Sequence, residues 1–147
     1  LEQLDYVVIS VHSSFSLSRK DQTDRIERAL RHPATTVWGH PTGRLLLQRD
    51  GYEIDLDHLL GVAAEEKVIV ELNAHPSRLD LDWRWGKRVS ELGVDIGIHP
   101  DAHSTRGLED VKHGVAIARK MGFPPNRITN CMNPEEYLQR LNMCHTP

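Results

Sequence analysis

The sequence has 147 residues, which is the usual length of one domain and is enough to bury a hydrophobic core. Its net charge of −3 argues against a general electrostatic grip on nucleic acid, so any DNA contact would have to be local or come from another domain. No membrane contact and a cytoplasmic location are expected, because the chain lacks a long apolar stretch and a basic leader and has only two cysteines.

Short apolar runs alternate with helical patterns along the chain. Strands are predicted, in chain order, at residues 5–13, 35–39, 68–72, 94–98 and 127–129. Helices are predicted at residues 21–31, 56–66, 83–92, 108–121 and 134–142. Asp55 is the expected N-cap of the second helix, and Gly93 and Gly122 are expected to end the third and fourth. Consecutive βα units of this kind predict an α/β fold with a parallel sheet.

The number of predicted units bears on the architecture. A closed βα barrel usually takes about 200 to 250 residues. This chain has five predicted strands, and it opens without methionine directly before the first of them, which would leave that strand with an unpaired edge. We therefore expect residues 1–147 to be the C-terminal part of a larger barrel. A complete five-stranded doubly wound domain is the alternative.

Metal-ligating residue types follow three of the predicted strands. His12 ends the apolar run of the first strand, His40 comes directly after the second strand, and Asp101 and His103 follow the fourth. Because the carboxyl ends of parallel strands share one face, we expect these side chains to converge there. The i, i+2 spacing of Asp101 and His103 allows both to project to one side, although an Asx-turn before the next helix is an alternative. Imidazoles and a carboxylate together suit zinc, manganese or iron.

Two arginines lie in loops at the same predicted edge. Arg44 follows the second strand and Arg78 follows the third, and guanidinium groups there would match phosphate geometry bidentately. A solvated surface arginine, or a structural ion pair with Asp80 or Asp82, is the alternative for each. Asn73 is expected either to hydrogen-bond at the mouth of the site or simply to end its strand.

Two further histidines have weaker assignments. His75 follows the third strand and could face a substrate or support the site from behind. His99 lies one alternation before Asp101 and is expected to share the site face less readily.

Four segments resemble the later motifs of the PHP (polymerase and histidinol phosphatase) metal-dependent phosphoesterase domain. They are Ser-Val-His-Ser at residues 10–13, Gly-His-Pro-Thr-Gly-Arg at 39–44, Leu-Asp-Leu-Asp-Trp-Arg-Trp at 79–85 and Pro-Asp-Ala-His-Ser at 100–104. The second segment, extended by three leucines, and the third narrow the resemblance to the PHP domain at the C-terminus of bacterial and archaeal family X DNA polymerases. The resemblance covers nearly the whole chain.

The resemblance implies a distorted seven-stranded βα barrel that holds up to three divalent ions, commonly manganese or zinc. His12, His40, Asp101 and His103 match four of the family's metal ligands. The family's opening His-x-His motif does not occur in this chain, and its further histidine, its bridging glutamate and the polymerase domains would all lie upstream. The residues present would therefore form an incomplete metal cluster, and the chain alone is expected to have little activity.

The implied function is metal-dependent hydrolysis that removes nucleotides from DNA 3′ ends during DNA repair. Arg44, Asn73 and Arg78 are the expected substrate-binding residues. Two alternatives stay open: a stand-alone PHP phosphatase that acts on a small phosphomonoester, and a noncatalytic PHP module with a structural role.

Overall fold

Four parallel strands form one sheet in the computed structural model, which describes residues 4–144. They are β1 (Val8–Ile9), β2 (Val37–Trp38), β3 (Ile69–Asn73) and β4 (Ile96–His99). Their order in the sheet is β1-β2-β3-β4, and each neighbouring pair is parallel. The predicted α/β fold with a parallel sheet is confirmed. The sequential order differs from that of a doubly wound sheet, in which the strand order reverses at a switch point.

Within residues 4–144, five α-helices alternate with the strands or follow them. They are α1 (Arg19–Leu30), α2 (Leu56–Glu65), α3 (Gly86–Glu91), α4 (Val111–Met121) and α5 (Pro134–Cys144). As predicted, the Asp55 side chain caps α2 by accepting from the backbone N–H of His58, and Gly122 ends α4 in the left-handed conformation with φ 67°. Among the described residues, no helix is long and apolar enough to cross a membrane.

The predicted helix at 83–92 divides into a 3-10 helix, Trp83–Trp85, followed by α3. The predicted helix at 108–121 is likewise divided, because the 3-10 helix Arg106–Asp110 leads into α4. Three of these four strands are shorter than the runs that predicted them, and β1 keeps only two residues, whereas β3 has the predicted length of 5 residues. Run length therefore overestimates the ladder in β1, β2 and β4.

The predicted fifth strand at residues 127–129 is wrong. Two 3-10 helices, Pro125–Arg127 and Thr129–Cys131, occupy this segment, and Ile128 between them makes a single parallel bridge to β4. The Asn130 side chain takes over the pairing that a strand would supply. Its amide nitrogen donates to the carbonyl oxygen of Ile98 at 3.0 Å, and its oxygen accepts from the Ile98 N–H at 2.7 Å. The backbone N–H and carbonyl groups of Ile98 thus both have hydrogen-bond partners, although no fifth strand pairs with β4 here.

The two faces of the sheet differ in chemistry. Val70 and Leu72 lie on the face that packs in the hydrophobic core with the helices, together with Trp38 of β2. Successive side chains of a strand point to opposite faces, so Glu71 and Asn73 lie on the other face. Both are buried there. The sheet therefore separates an apolar core from a face that contains buried polar groups near its carboxyl edge.

Candidate functional site

The carboxyl ends of all four strands meet at one edge of the sheet, because every pair is parallel. His12 and His40, which follow β1 and β2, pack edge to face there with ring centroids 5.0 Å apart. His12 is exposed, and its Nε2 lies 2.7 Å from the hydroxyl oxygen of Ser10. The structure thus brings together two imidazoles that the sequence separates by a complete βα unit.

His40 is the buried member of this pair, with 6% of its surface exposed. Its ring nitrogen Nδ1 is buried and has no hydrogen-bond partner among the described residues. Burial, followed by the charge of Arg78, lowers the pKa of His40 below its ordinary value of 6.5. A neutral imidazole with an unused buried nitrogen is therefore present at the sheet edge.

Asp101 lies at the same edge, beyond the end of β4. One of its carboxylate oxygens, Oδ2, accepts from Arg78 Nε at 3.1 Å and from Asn73 Nδ2 at 3.2 Å. Burial works against ionisation, but the hydrogen bond from Asn73 and the charge of Arg78 outweigh it and lower the pKa of Asp101. His103 is exposed, and its Nδ1 lies 2.8 Å from the backbone carbonyl oxygen of Asp101. Asp101, Asn73 and Arg78 therefore form one contiguous polar cluster.

The Arg44 guanidinium is engaged within the protein. Its Nε donates to the carbonyl oxygen of Arg78 at 2.9 Å, its Nη1 donates to Asp82 Oδ2 at 2.6 Å, and its Nη2 donates to the carbonyl oxygen of Leu79. The ion pair with Asp82 is one of the structural alternatives that the sequence left open for this residue. The contact of Arg44 with a phosphate stays a prediction. The guanidinium would have to bind the phosphate while it also donates to Asp82 and to the two carbonyl oxygens.

Asp80 connects the two loops that contain the arginines. Its carboxylate accepts from the N–H of Thr42 at 3.0 Å, from the Thr42 hydroxyl at 2.9 Å and from the N–H of Gly43 at 3.0 Å. Its backbone pairs with that of Asn73 as an antiparallel bridge. The loops after β2 and β3 are therefore held together by a buried carboxylate.

His75 has a local structural role. Its backbone N–H donates to Asn73 Oδ1 at 3.1 Å, and its Nδ1 accepts from the N–H of Ser77 at 3.2 Å. These bonds shape the turn after β3, and the predicted contact of His75 with a substrate stays a prediction.

Glu71 is a member of the site that sequence reasoning missed. Its Oε2 accepts from the backbone N–H of His40 at 2.6 Å and from Asn73 Nδ2 at 3.1 Å, and its Oε1 lies 3.0 Å from Nδ1 of His99. His99 therefore lies closer to the site than its alternation suggested. The available signal was the glutamate itself, since a charged residue inside an apolar strand is almost never buried without partners.

A protein of Bacillus subtilis (strain 168), the DNA polymerase/3′-5′ exonuclease PolX, is 42% identical to this chain over 143 residues. The aligned region is 95% of this chain and 25% of that protein. The resemblance to the PHP domain of family X DNA polymerases is thereby confirmed by a curated relative. More distant relatives are two probable phosphatases, from Thermoanaerobacter sp. (strain X514) and Thermoanaerobacter pseudethanolicus (strain ATCC 33223 / 39E).

Each phosphatase is 23% identical to this chain over 139 residues, which are 88% of the chain and 54% of the phosphatase. The chain thus spans between a quarter and about half of the length of these curated relatives. No protein-family model matches it.

The PHP resemblance implies a metal centre. The residues present include the right types of metal donor, but too few of them lie together to form a complete site. The imidazoles of His12 and His40 and the carboxylate of Asp101 are suitable donors, and the unused buried Nδ1 of His40 is a position that a cation would satisfy. However, the structure of residues 4–144 assembles no group of three or more His, Cys, Asp and Glu side chains that could hold a metal ion. The described residues therefore include suitable donor types, and their role as metal ligands stays a prediction.

Proposed function

We propose that residues 1–147 are the C-terminal part of the PHP barrel of a family X DNA polymerase and take part in hydrolysing phosphodiester bonds at DNA 3′ ends. The observation that carries the proposal is the meeting of the His12–His40 pair and the Asp101–Arg78 pair at one sheet edge. The similarity to PolX supports the same function. A role in DNA repair and a cytoplasmic location follow from this assignment.

The sheet also supports the assignment to a larger barrel. The strands follow one another in sequence order, as they do in a βα barrel, and β1 is at the edge with Val8 49% exposed. In the proposed barrel a further strand would pair with this edge, and closure of the barrel would enclose the polar face of the sheet. The partners required are therefore the N-terminal part of the seven-stranded barrel and the polymerase domains of the full-length protein.

In the complete barrel, His12, His40, Asp101 and His103 would hold divalent ions together with ligands from upstream. Bound manganese or zinc would supply a hydroxide near neutral pH and would neutralise charge on the scissile phosphate. Among the chain's own groups, Arg78 places a cation beside the Asp101 carboxylate, and its planar guanidinium suits a phosphate oxygen. Asn73 fixes the orientation of that carboxylate by donating to it.

A phosphatase of small phosphomonoesters is the second candidate, because two relatives are probable phosphatases. Substrate preference separates the two functions. The full-length protein should release nucleotides from a DNA 3′ end much faster than it releases phosphate from a small phosphomonoester. A preference for the small ester would favour the phosphatase. A folded full-length protein that releases neither nucleotides nor phosphate would favour the noncatalytic module.

The central test uses the full-length protein and 5′-labelled DNA in the presence of manganese. His40→Ala should lower both bound metal and exonuclease rate, and second-sphere changes at metal sites already cost about 10-fold to 100-fold. His113→Ala is the matched control, because this histidine lies on α4 and its only ion-pair contact among the described residues is with Asp110. Gap filling should be unchanged in both variants. An equal loss of both activities with unchanged metal content would contradict the assignment.

A further inference from the structure

We propose that Glu71 is a positioning residue of this site: it orients the imidazole of His99 and holds the loop that contains His40. The inference rests on the proposed function for its effect on catalysis. Its structural part, the orientation of His99, can be tested independently of any activity.

The buried position of Glu71 is unfavourable for a charged group unless hydrogen-bond donors surround it. It lies inside β3, and only 8% of its side chain is exposed. Transferring a carboxylate into such an environment is costly unless hydrogen-bond donors compensate for the lost water. Three donors converge on it: the backbone N–H of His40, the side-chain amide of Asn73 and Nδ1 of His99. Asn73 shares β3 with Glu71, whereas His99 belongs to β4 and His40 follows β2.

The contact with His99 determines which ring nitrogen carries hydrogen. A carboxylate oxygen can only accept, so Nδ1 of the neutral ring must be the donor across the 3.0 Å contact with Glu71. Nε2 is then left with its lone pair. The His99 side chain is 30% exposed, so a ligand at the sheet edge can reach the ring. The hydrogen bond to Glu71 sets the tautomer that such a ligand contacts.

Gly97 allows the ring to occupy this place. A Cβ atom at Gly97 would lie 2.9 Å from both Cε1 and Nε2 of His99, which is closer than real Cβ atoms approach other atoms. Gly97 is the register partner of Glu71, so the space that a side chain would fill there is used by the ring of His99. The contact with the Glu71 carboxylate then orients the ring before any ligand binds.

The same carboxylate links the other strand ends. Its Oε2 accepts from the N–H of His40, whose backbone has an unusual positive φ of 29°, and from Asn73, which in turn donates to Asp101. Glu71 therefore contacts the loop after β2 directly and reaches the segment after β4 through one amide. Removing its charge should disturb the site without exposing new surface.

Glu71→Gln is the informative variant. A glutamine can keep its oxygen toward His40 and Asn73, and its amide then faces His99 as a donor. Nδ1 of His99 must become the acceptor, which moves the hydrogen to Nε2 while the ring stays in place. We expect kcat of the exonuclease in the full-length protein to fall about 10-fold to 100-fold, the usual effect of losing a carboxylate that orients a histidine at a metal site, with little change in KM.

The tautomer itself is measured on the metal-free full-length protein with ¹⁵N-labelled histidine, at a pH above the usual titration range of the ring. The His99 signal, assigned by its loss in His99→Gln, should show hydrogen on Nδ1 in the native protein and on Nε2 in Glu71→Gln. Asp57→Asn is the charge-matched control, since this exposed carboxylate pairs with Arg88 on the surface. It should change neither the tautomer nor kcat.

A double-mutant cycle separates positioning from simple structural support. In a His99→Gln background, Glu71→Gln should cost clearly less than it does alone, because part of its effect has already been removed. An equal loss in both backgrounds, or a His99 tautomer that ignores the substitution, would overturn the proposal. If the native full-length protein had no exonuclease activity, the proposed function would fail while the tautomer measurement would still decide the role of Glu71.

Discussion

Arg44→Ala should destabilise the domain, because Arg44 connects two loops from inside the protein. The side chains of Arg44 and Asp82 are 19% and 16% exposed, so their 2.6 Å ion pair is largely shielded from water. The substitution also leaves the carbonyl oxygens of Arg78 and Leu79 without this donor.

The magnitude can be estimated from these contacts. Breaking a buried ion pair costs about 3 to 5 kcal/mol. Asp82 is partly hydrated and keeps a weaker contact with Arg84 at 3.6 Å, which reduces this figure. We therefore expect the free energy of unfolding to fall by about 2 to 4 kcal/mol. Arg44→Lys should lie between the native protein and the alanine variant, because an ammonium keeps the charge without the planar fork of donors.

Urea unfolding followed by tryptophan fluorescence is a suitable assay, since Asp82 caps the 3-10 helix that contains Trp83 and Trp85. Arg84→Ala is the control: its side chain is 74% exposed, and its loss should change stability by less than about 1 kcal/mol. Equal stability of the Arg44→Ala and Arg84→Ala variants would refute the reasoning. Native stability with a raised KM for DNA would instead show that Arg44 binds phosphate.

Two further predictions concern polar side chains that bond to the backbone, the buried Asp80 and the exposed Asn130. Burial raises the pKa of Asp80 to about 6 despite its hydrogen bonds, so its ionisation in the folded state opposes stability as pH rises from about 4 to about 7. Asp80→Asn should remove this dependence, and its stability relative to the native protein should improve by about 3 kcal/mol across that range in urea titrations. Asn130→Ala should lower the free energy of unfolding by about 1 to 3 kcal/mol, because the N–H and carbonyl of Ile98 lose their partner. An Asn130→Ala variant as stable as the native protein would show that water replaces the amide.

Local patterns predicted the alternation of strands and helices well. A strand run, a helical period, the Asp55 cap and the Gly122 ending each depend on a few neighbouring residues, so the sequence contains the whole signal. The same holds for the histidines that follow β1 and β2. Once the strands are known to be parallel, the meeting of His12 and His40 follows from topology.

Local sequence patterns were enough to predict the class of fold, the cap of α2, the end of α4 and the residue types at the sheet edge. The partner of each polar side chain became known only from the three-dimensional arrangement. Arg44 pairs with a residue 38 positions away, and Asn130 satisfies β4 from 32 positions away in place of a fifth strand. In the sequence, Glu71 is a single glutamate in an apolar run. Only the folded chain places His40 and His99 in contact with it. Such contacts depend on strand register and loop path, which a local pattern does not contain.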